Sequence, residues 1–364
     1  SIGDIKGDFV NNSAVSEEFG RINGAFGGAM SNQGNVGTIE GNFYGNRATA
    51  QVYASGGAVF NSTGHIDGIE GNFIGNSAES QLASAMGGAI YNEDATIGSV
   101  SGVFEDNMAK GQLEAAGGAI YSISNTDEEG GLRLVNAQFY NNSATAADGE
   151  AKGGAIYSDN ITITAQNGQS VFNGNTANGV NNAVYMENLS SKEKAQLNLE
   201  AKEKGEIIFD DAIDGDNYDI TITGDGSGNV VFNNKVDNVS VFSASNGSMF
   251  HLGLDGQINT QDYIVDNTAG LPVLTLDLQI DAANNGINNG VVDVSGDVVG
   301  TTNVIVNSLN QDLLDNVADA STIFVKAPND DMGTASAFNV SRVYGSPYMW
   351  DSIRNYGGEE DGRF

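Results

Sequence analysis

Apolar residues recur along the first half of this chain in short, alternating stretches that are copied from one segment to the next. Ahead of a series of phenylalanines runs the pattern aliphatic-x-x-aliphatic-x-small-x-Phe: Ile2/Ile5/Gly7/Phe9, Val36/Ile39/Gly41/Phe43, Ile66/Ile69/Gly71/Phe73, Ile97/Val100/Gly102/Phe104 and Leu132/Val135/Ala137/Phe139. The last three inward positions of each copy fall two residues apart, the period at which a strand sends its side chains to one face. Each Phe also opens a phrase Phe-x-x-Asn-x-Ala, at Phe9/Asn12/Ala14, Phe43/Asn46/Ala48, Phe73/Asn76/Ala78, Phe104/Asn107/Ala109, Phe139/Asn142/Ala144 and Phe172/Asn175/Ala177, spaced by 30 to 35 residues. A second phrase, Gly-Gly-Ala plus an apolar residue, is interleaved at Gly27, Gly56, Gly87, Gly117 and Gly153, with "NNAVY" from Asn181 as a worn further copy.

Two phrases locked to one period describe one structural unit. Units so rich in Gly and Asn forfeit too much helix propensity to be helical repeats. A unit with one short set of strands cannot bury its apolar face alone, so successive units must stack as coils of a β-solenoid, with like placed on like at about 4.8 Å. The predicted fold is all-β: a β-solenoid with about 30 residues per coil in its N-terminal half. Phe9, Phe43, Phe73, Phe104, Phe139 and Phe172 are expected to form one stacked ladder. Asn12, Asn46, Asn76, Asn107, Asn142 and Asn175 are expected either to occupy left-handed corners or to bond to the Asn of the next coil. All three prolines, Pro272, Pro328 and Pro347, fall late in the chain, which suits coils whose backbone N–H groups are used in ladders.

Past residue 186 the phrase weakens but persists in "GEIIFDDA" and "GNVVFNNK", and alternation continues in "AQLNLEA", "DITIT" and "VLTLDLQI". The expected organisation is regular coils over 1–185, diverged coils over 186–325, and a cap or linker over 326–364 that contains the only tryptophan, Trp350. A short helix is expected at 310–320, where Leu313, Leu314 and Val317 share a face.

Charge narrows the partners. Lys and Arg number 15 against 47 Asp and Glu, a formal net charge of −32, which repels nucleic acid and anionic lipid alike. Without cysteine there is no disulfide framework and no thiolate chemistry. No apolar run approaches the roughly 20 residues of a membrane-spanning helix. The first residues lack a basic stretch followed by an apolar one, so any signal peptide is expected either to have been removed or to lie outside this sequence.

The alternation of Gly-Gly-Ala-Ile and Phe-x-x-Asn phrases resembles the repeats of polymorphic outer-membrane proteins, and more broadly autotransporter passenger domains. The resemblance is specific over 1–185 and looser over 186–325. It implies a right-handed parallel β-helix, exported and displayed outside the cell by a C-terminal membrane barrel, and the absence of cysteine agrees with a chain that crosses membranes unfolded. "VSRVYGSPYMWDS" is similar to the stretch that precedes such barrels. The barrel itself is missing from this sequence, so the resemblance implies a released or trimmed passenger, or a relative held outside by other means.

Several residues stand out as candidate sites, each with two readings. Glu40 and Glu70, outward on neighbouring coils, have about the separation of a retaining glycosidase pair, or form a solvated ladder eased by Lys6. Phe60, Tyr91, Tyr121, Tyr157 and Tyr185 point outward by alternation and form either a strip for sugars or protein surfaces or a stack packed on itself. Asp210, Asp211, Asp214, Asp216 and Asp219 are dense enough to hold Ca²⁺ but lack a full loop signature, which favours a solvated acidic corner. Apart from Ca²⁺, no cofactor is expected. His65 and His251 read as surface residues; "GDGSGN" fails the spacing of a serine-hydrolase elbow, and two His without Cys make a poor zinc set.

The expected function is a non-enzymatic adhesin or surface appendage, at the cell surface or extracellular, that meets host or neighbouring-cell glycans or proteins. The alternative is a carbohydrate-active β-helix enzyme, a lyase or glycosidase. The sequence begins inside a repeat, at Ile2/Ile5/Gly7/Phe9, so either more coils or a cap are expected ahead of it, or an open end that docks on a second copy as a homo-oligomer or filament.

Overall fold

The computed structural model describes residues 1–17, 24–124, 131–189, 194–245, 247–268, 270–281, 286–310, 322–327, 337–344 and 362–363. Among these, strands and tight turns account for the structure, and no α-helix is present as an element. The helix expected at 310–320 lies, from residue 311 onward, outside the described residues, as do Trp350 and most of the expected cap. The chain divides into two compact units, the first of Ser1–Thr164, Gln169–Leu197 and Asp210–Asp216, the second of Ala165–Gly168, Asn198–Phe209 and Asn217–Phe364.

The first unit is a parallel β-helix in which each coil climbs through the same faces. The Phe face stacks Phe9–Val10, Phe43–Tyr44, Phe73–Ile74, Val103–Glu105, Gln138–Tyr140 and Gln169–Asn173, with Phe opposite Phe at every step. The next face stacks Ser13–Ser16, Arg47–Ala50, Ser77–Ser80, Met108–Gly111, Ser143–Ala146 and Thr176–Ala177, and aligns the Ala of each Phe-x-x-Asn-x-Ala phrase. It ends in an antiparallel hairpin with Val180–Asn181. That hairpin turns through Asn178 and Gly179, both at positive φ, as a two-residue turn between twisted strands requires.

A third face, Gly24–Phe26, Tyr53–Ser55, Ser84–Met86, Glu114–Ala116 and Glu150–Lys152, brings a second row of alanines against the first. Ala48, Ala54, Ala78, Ala85, Ala109 and Ala115 form one buried cluster there, small side chains that let two strand faces approach closely. The fourth face carries the strands that follow Gly-Gly-Ala, with Met30, Val59, Ile90, Ile120, Ile156 and Val184 in register.

Both glycines of the phrase are required. The first, at Gly27, Gly56, Gly87, Gly117 and Gly153, has φ between 61° and 64°, where a side chain is strained. The second has no room: a Cβ on Gly88 would stand 2.0 Å from the Gly118 carbonyl oxygen of the next coil.

The second unit keeps the parallel stacking but not the phrase. Glu206–Phe209, Asn229–Phe232, Met249–Leu252, Val273–Asp281 and Thr302–Ser308 pair in parallel, and the position held by Phe209 and Phe232 passes to Leu252, Leu276 and Val306. Aromatic bulk moves to neighbouring strands, where Phe242 stacks on Tyr263 at 5.7 Å. Register shifts in Lys235–Ala244 and an antiparallel excursion at Gly286–Asn289 mark the loss of a strict repeat.

Candidate functional site

The conspicuous Phe and Asn residues of the repeat are structural ladders. Phe9, Phe43, Phe73, Phe104, Phe139 and Phe172 stack with ring centroids 4.4 to 4.9 Å apart and planes within 10° of parallel. From Phe43 to Phe172 they are fully buried. Of the two roles expected for the Asn residues, the structure takes the second. Asn12, Asn46, Asn76 and Asn107 each donate from Nδ2 to Oδ1 of the next Asn at 2.9 Å, and Asn142 does the same to Asn175.

The same Oδ1 accepts the backbone N–H of the Asn one coil earlier, and the second Nδ2 proton goes to a Phe carbonyl. Every polar atom of these buried amides is thereby used, the condition under which burial of an amide is not a penalty. The left-handed corner sits one residue earlier, at Asn11, Gly45, Gly75, Asp106, Asn141 and Gly174.

The Asn ladder ends on a residue that the phrase does not mark. Asp211, 2% exposed, accepts the N–H and Nδ2 of Asn175 at 2.8 Å, the N–H of Gly174 at 2.9 Å and Nδ2 of Asn181 at 2.7 Å. It is a ladder terminus, which corrects the reading of Asp211 as part of a solvated acidic corner; a carboxylate is all acceptor and suits a place where only donors converge.

A second buried ladder also escaped the sequence analysis. Asn32 donates to Asn61 and Asn61 to Asn92 at 2.8 Å, and Asn92 donates to Ser122 at 3.2 Å. Its signal was present two residues beyond the apolar position of each Gly-Gly-Ala phrase, where Asn or Ser recurs.

The outward aromatic row exists, but not as an open strip. Phe60, Tyr91, Tyr121, Tyr157 and Tyr185 stack with centroids 4.9 to 5.8 Å apart and planes within 6° of parallel. Tyr91, Tyr121 and Tyr157 are only 7–9% exposed, packed among Met86, Ala116, Ile123 and Leu189, while Phe60 and Tyr185 at the two ends are half-buried. Outward alternation therefore did not mean exposure, because the neighbouring face and the following loop close over the rings.

The Tyr91 hydroxyl donates to Glu93 and the Tyr185 hydroxyl to Asp216 at 2.6 Å, and Glu187 acts on the Tyr157 hydroxyl. Burial first, then these carboxylates, push the ionisation of Tyr91, Tyr157 and Tyr185 well above the ordinary phenol range. Burial with Glu93 and Glu114 does the same to Tyr121. Lys152 closes one end, 4.6 Å from the Tyr185 ring centroid and 3.4 Å from Glu187.

The remaining candidates are dispersed. Lys6, Glu40, Glu70 and Ser101 do align on successive coils, and Lys6 binds both carboxylate oxygens of Glu40 at 2.8 Å. Asp210 accepts from Asn173 at 2.8 Å, and Asp214 caps its neighbour Gly215. Among the described residues no three His, Cys, Asp or Glu side chains converge in a way that holds a metal ion. His65 lies between Thr96 and Asp67 at the surface, opposite Asn35. His251 meets Asp277 at 3.0 Å in the second unit and is half-buried rather than a surface residue.

Comparison with protein families finds the Chlamydia polymorphic membrane protein repeat at residues 136–159. That segment holds Phe139 and Asn142 of the two buried ladders together with Gly153, Gly154, Ala155 and Ile156, so both phrases fall within one match. No curated protein and no solved structure matches the chain. The coils of this β-helix thus include a polymorphic membrane protein repeat, and over that segment the chain is similar to a family associated with the outer-membrane surface.

Proposed function

We propose that this chain is the surface-displayed passenger part of an exported protein and that it works as an adhesin toward proteins or glycans of other cells. The observation that carries the reading is the family match at residues 136–159, lying on coils whose repeated residues are consumed by their own stacking. Once the Phe, Asn and Gly-Gly-Ala positions are assigned to holding coils together, what remains for function is the outward side-chain set, repeated at the coil spacing. Such a surface suits contact along its length rather than chemistry at a point.

The glycosidase alternative draws no support from the Glu40 and Glu70 pair, since Glu40 is engaged by Lys6. Beads coated with the purified chain are expected to attach to cultured cells saturably, and soluble chain is expected to compete. Attachment equal to that of beads carrying an unrelated protein of similar acidity would remove the adhesin reading. Turnover of a polysaccharide that is lost in both Glu40→Gln and Glu70→Gln would replace it with the enzymatic one.

A further inference from the structure

The aromatic row of the first unit is closed at its faces and chemically one-sided along its rim. Rings 4.9 to 5.8 Å apart occupy one another's faces, so no sugar can slide between them. What the row offers is phenol oxygens and the carboxylates beside them. A phenol that donates its proton to a carboxylate, as Tyr91 does to Glu93 and Tyr185 to Asp216, keeps only lone pairs for anything else.

Between these bonded neighbours Tyr121 is 9% exposed, and among the described residues its hydroxyl has no hydrogen-bond partner, while the charges of Glu93, Glu114, Glu187 and Asp159 act on it. A phenol oxygen without a partner beside acidic groups has its lone pairs free for an incoming donor. The protein fills one such place itself. Lys152 sits over the Tyr185 ring at 4.6 Å and beside Glu187 at 3.4 Å, the pairing of π face and carboxylate that holds an ammonium group. Among the described residues Lys152 is the one basic side chain seated on the row.

We propose that the rim from Tyr91 to Tyr185 is a docking strip for a basic polypeptide segment of a partner protein, whose lysine or arginine side chains bind the flanking carboxylates and the Tyr121 oxygen. A row of acceptors along the coils, with Ile123 in place of a carboxylate beside Tyr121, calls for a linear polycation rather than a single metal ion, and no metal cluster converges among the described residues. The net charge of −32 steers such a segment toward the chain. The idea deepens the adhesin reading and rests on it only for which surface supplies the segment; a negative cell-attachment result leaves peptide binding readable.

The test is fluorescence anisotropy of a short oligo-arginine peptide titrated with the intact chain at physiological salt, beside an oligo-glutamate peptide. Glu93→Gln combined with Glu187→Gln is expected to weaken binding about tenfold, and Tyr121→Phe, which keeps the ring stack, about threefold. Glu105→Gln combined with Asp255→Asn removes equal charge elsewhere and is expected to change binding by less than about twofold. Equal losses in the two double variants would reduce the attraction to diffuse charge and overturn the proposal. So would absence of oligo-arginine binding, or a Tyr121→Phe protein that binds as wild type does. Should the Glu93/Glu187 variant fail to fold, as read by circular dichroism, Tyr121→Phe alone decides.

Discussion

Asn107 shows how one side chain can be indispensable without touching a ligand. Its amide donates to Asn142 and to the Phe73 carbonyl, and its oxygen accepts from the backbone and side chain of Asn76, all without solvent. Replacing it strands donors and acceptors on both neighbouring coils. Asn107→Ala is therefore expected to cost about 2–4 kcal/mol in urea unfolding, since each buried unsatisfied group costs about 1–3 kcal/mol. Asn12→Ala, at the exposed end of the same ladder, is expected to cost less than half as much, and equal losses would mean that burial is not what makes the amide matter. The Phe-x-x-Asn spacing announced the Asn ladder but not its terminus, because Asp211 follows Phe209 by two residues where the phrase uses three. Only the three-dimensional convergence of four donors reveals that role.

Within the coil, the elements carry separable costs. Phe73→Ala opens a void between Phe43 and Phe104 and is expected to destabilise by about 3–5 kcal/mol in thermal or urea melts. Gly87→Ala, which forces a side chain into a left-handed corner at φ 63°, is expected to cost about 1–3 kcal/mol. Gly88→Ala is expected to cost at least as much, because its side chain would meet the Gly118 carbonyl oxygen of the next coil at 2.0 Å, as that of Gly87→Ala would meet the Ile90 carbonyl oxygen at 2.1 Å.

The tyrosine row gives a pH signature. Burial and neighbouring acids raise the folded-state ionisation of Tyr91, Tyr121, Tyr157 and Tyr185 above the ordinary 10.0. The stabilisation that goes with it is fully present below pH 10, the unfolded value, and is lost as pH climbs from there toward the folded values. In an alkaline titration followed by tyrosinate absorbance, these four are expected to ionise only together with unfolding. Ionisation near pH 10 with circular dichroism unchanged would show the row to be open to water.

At the scale of the molecule, the excess of 47 acidic over 15 basic residues sets up self-repulsion that the few exposed pairs, such as Lys6 with Glu40 and Arg47 with Glu79, offset only slightly. The melting temperature is expected to rise when sodium chloride is raised from a few millimolar to about 0.15 M, where the Debye length falls to about 8 Å. A flat response would mean that the charges are spread too far apart to matter.

The coil was legible from the chain alone. Its period and its inward Phe follow from residue types at fixed offsets, because stacking identical units turns a local pattern into a contact, whereas the choice of a bonded rather than a corner Asn and the turn at Gly-Gly came from the structure. Tertiary structure alone decided which outward residues see water. Tyr91 and Tyr121 alternate outward like any exposed strand residue, yet Met86 and Ala116, borne on a different face of the coil, cover them. Such covering depends on the angle at which one face meets the next, and no periodicity within a single strand encodes that angle.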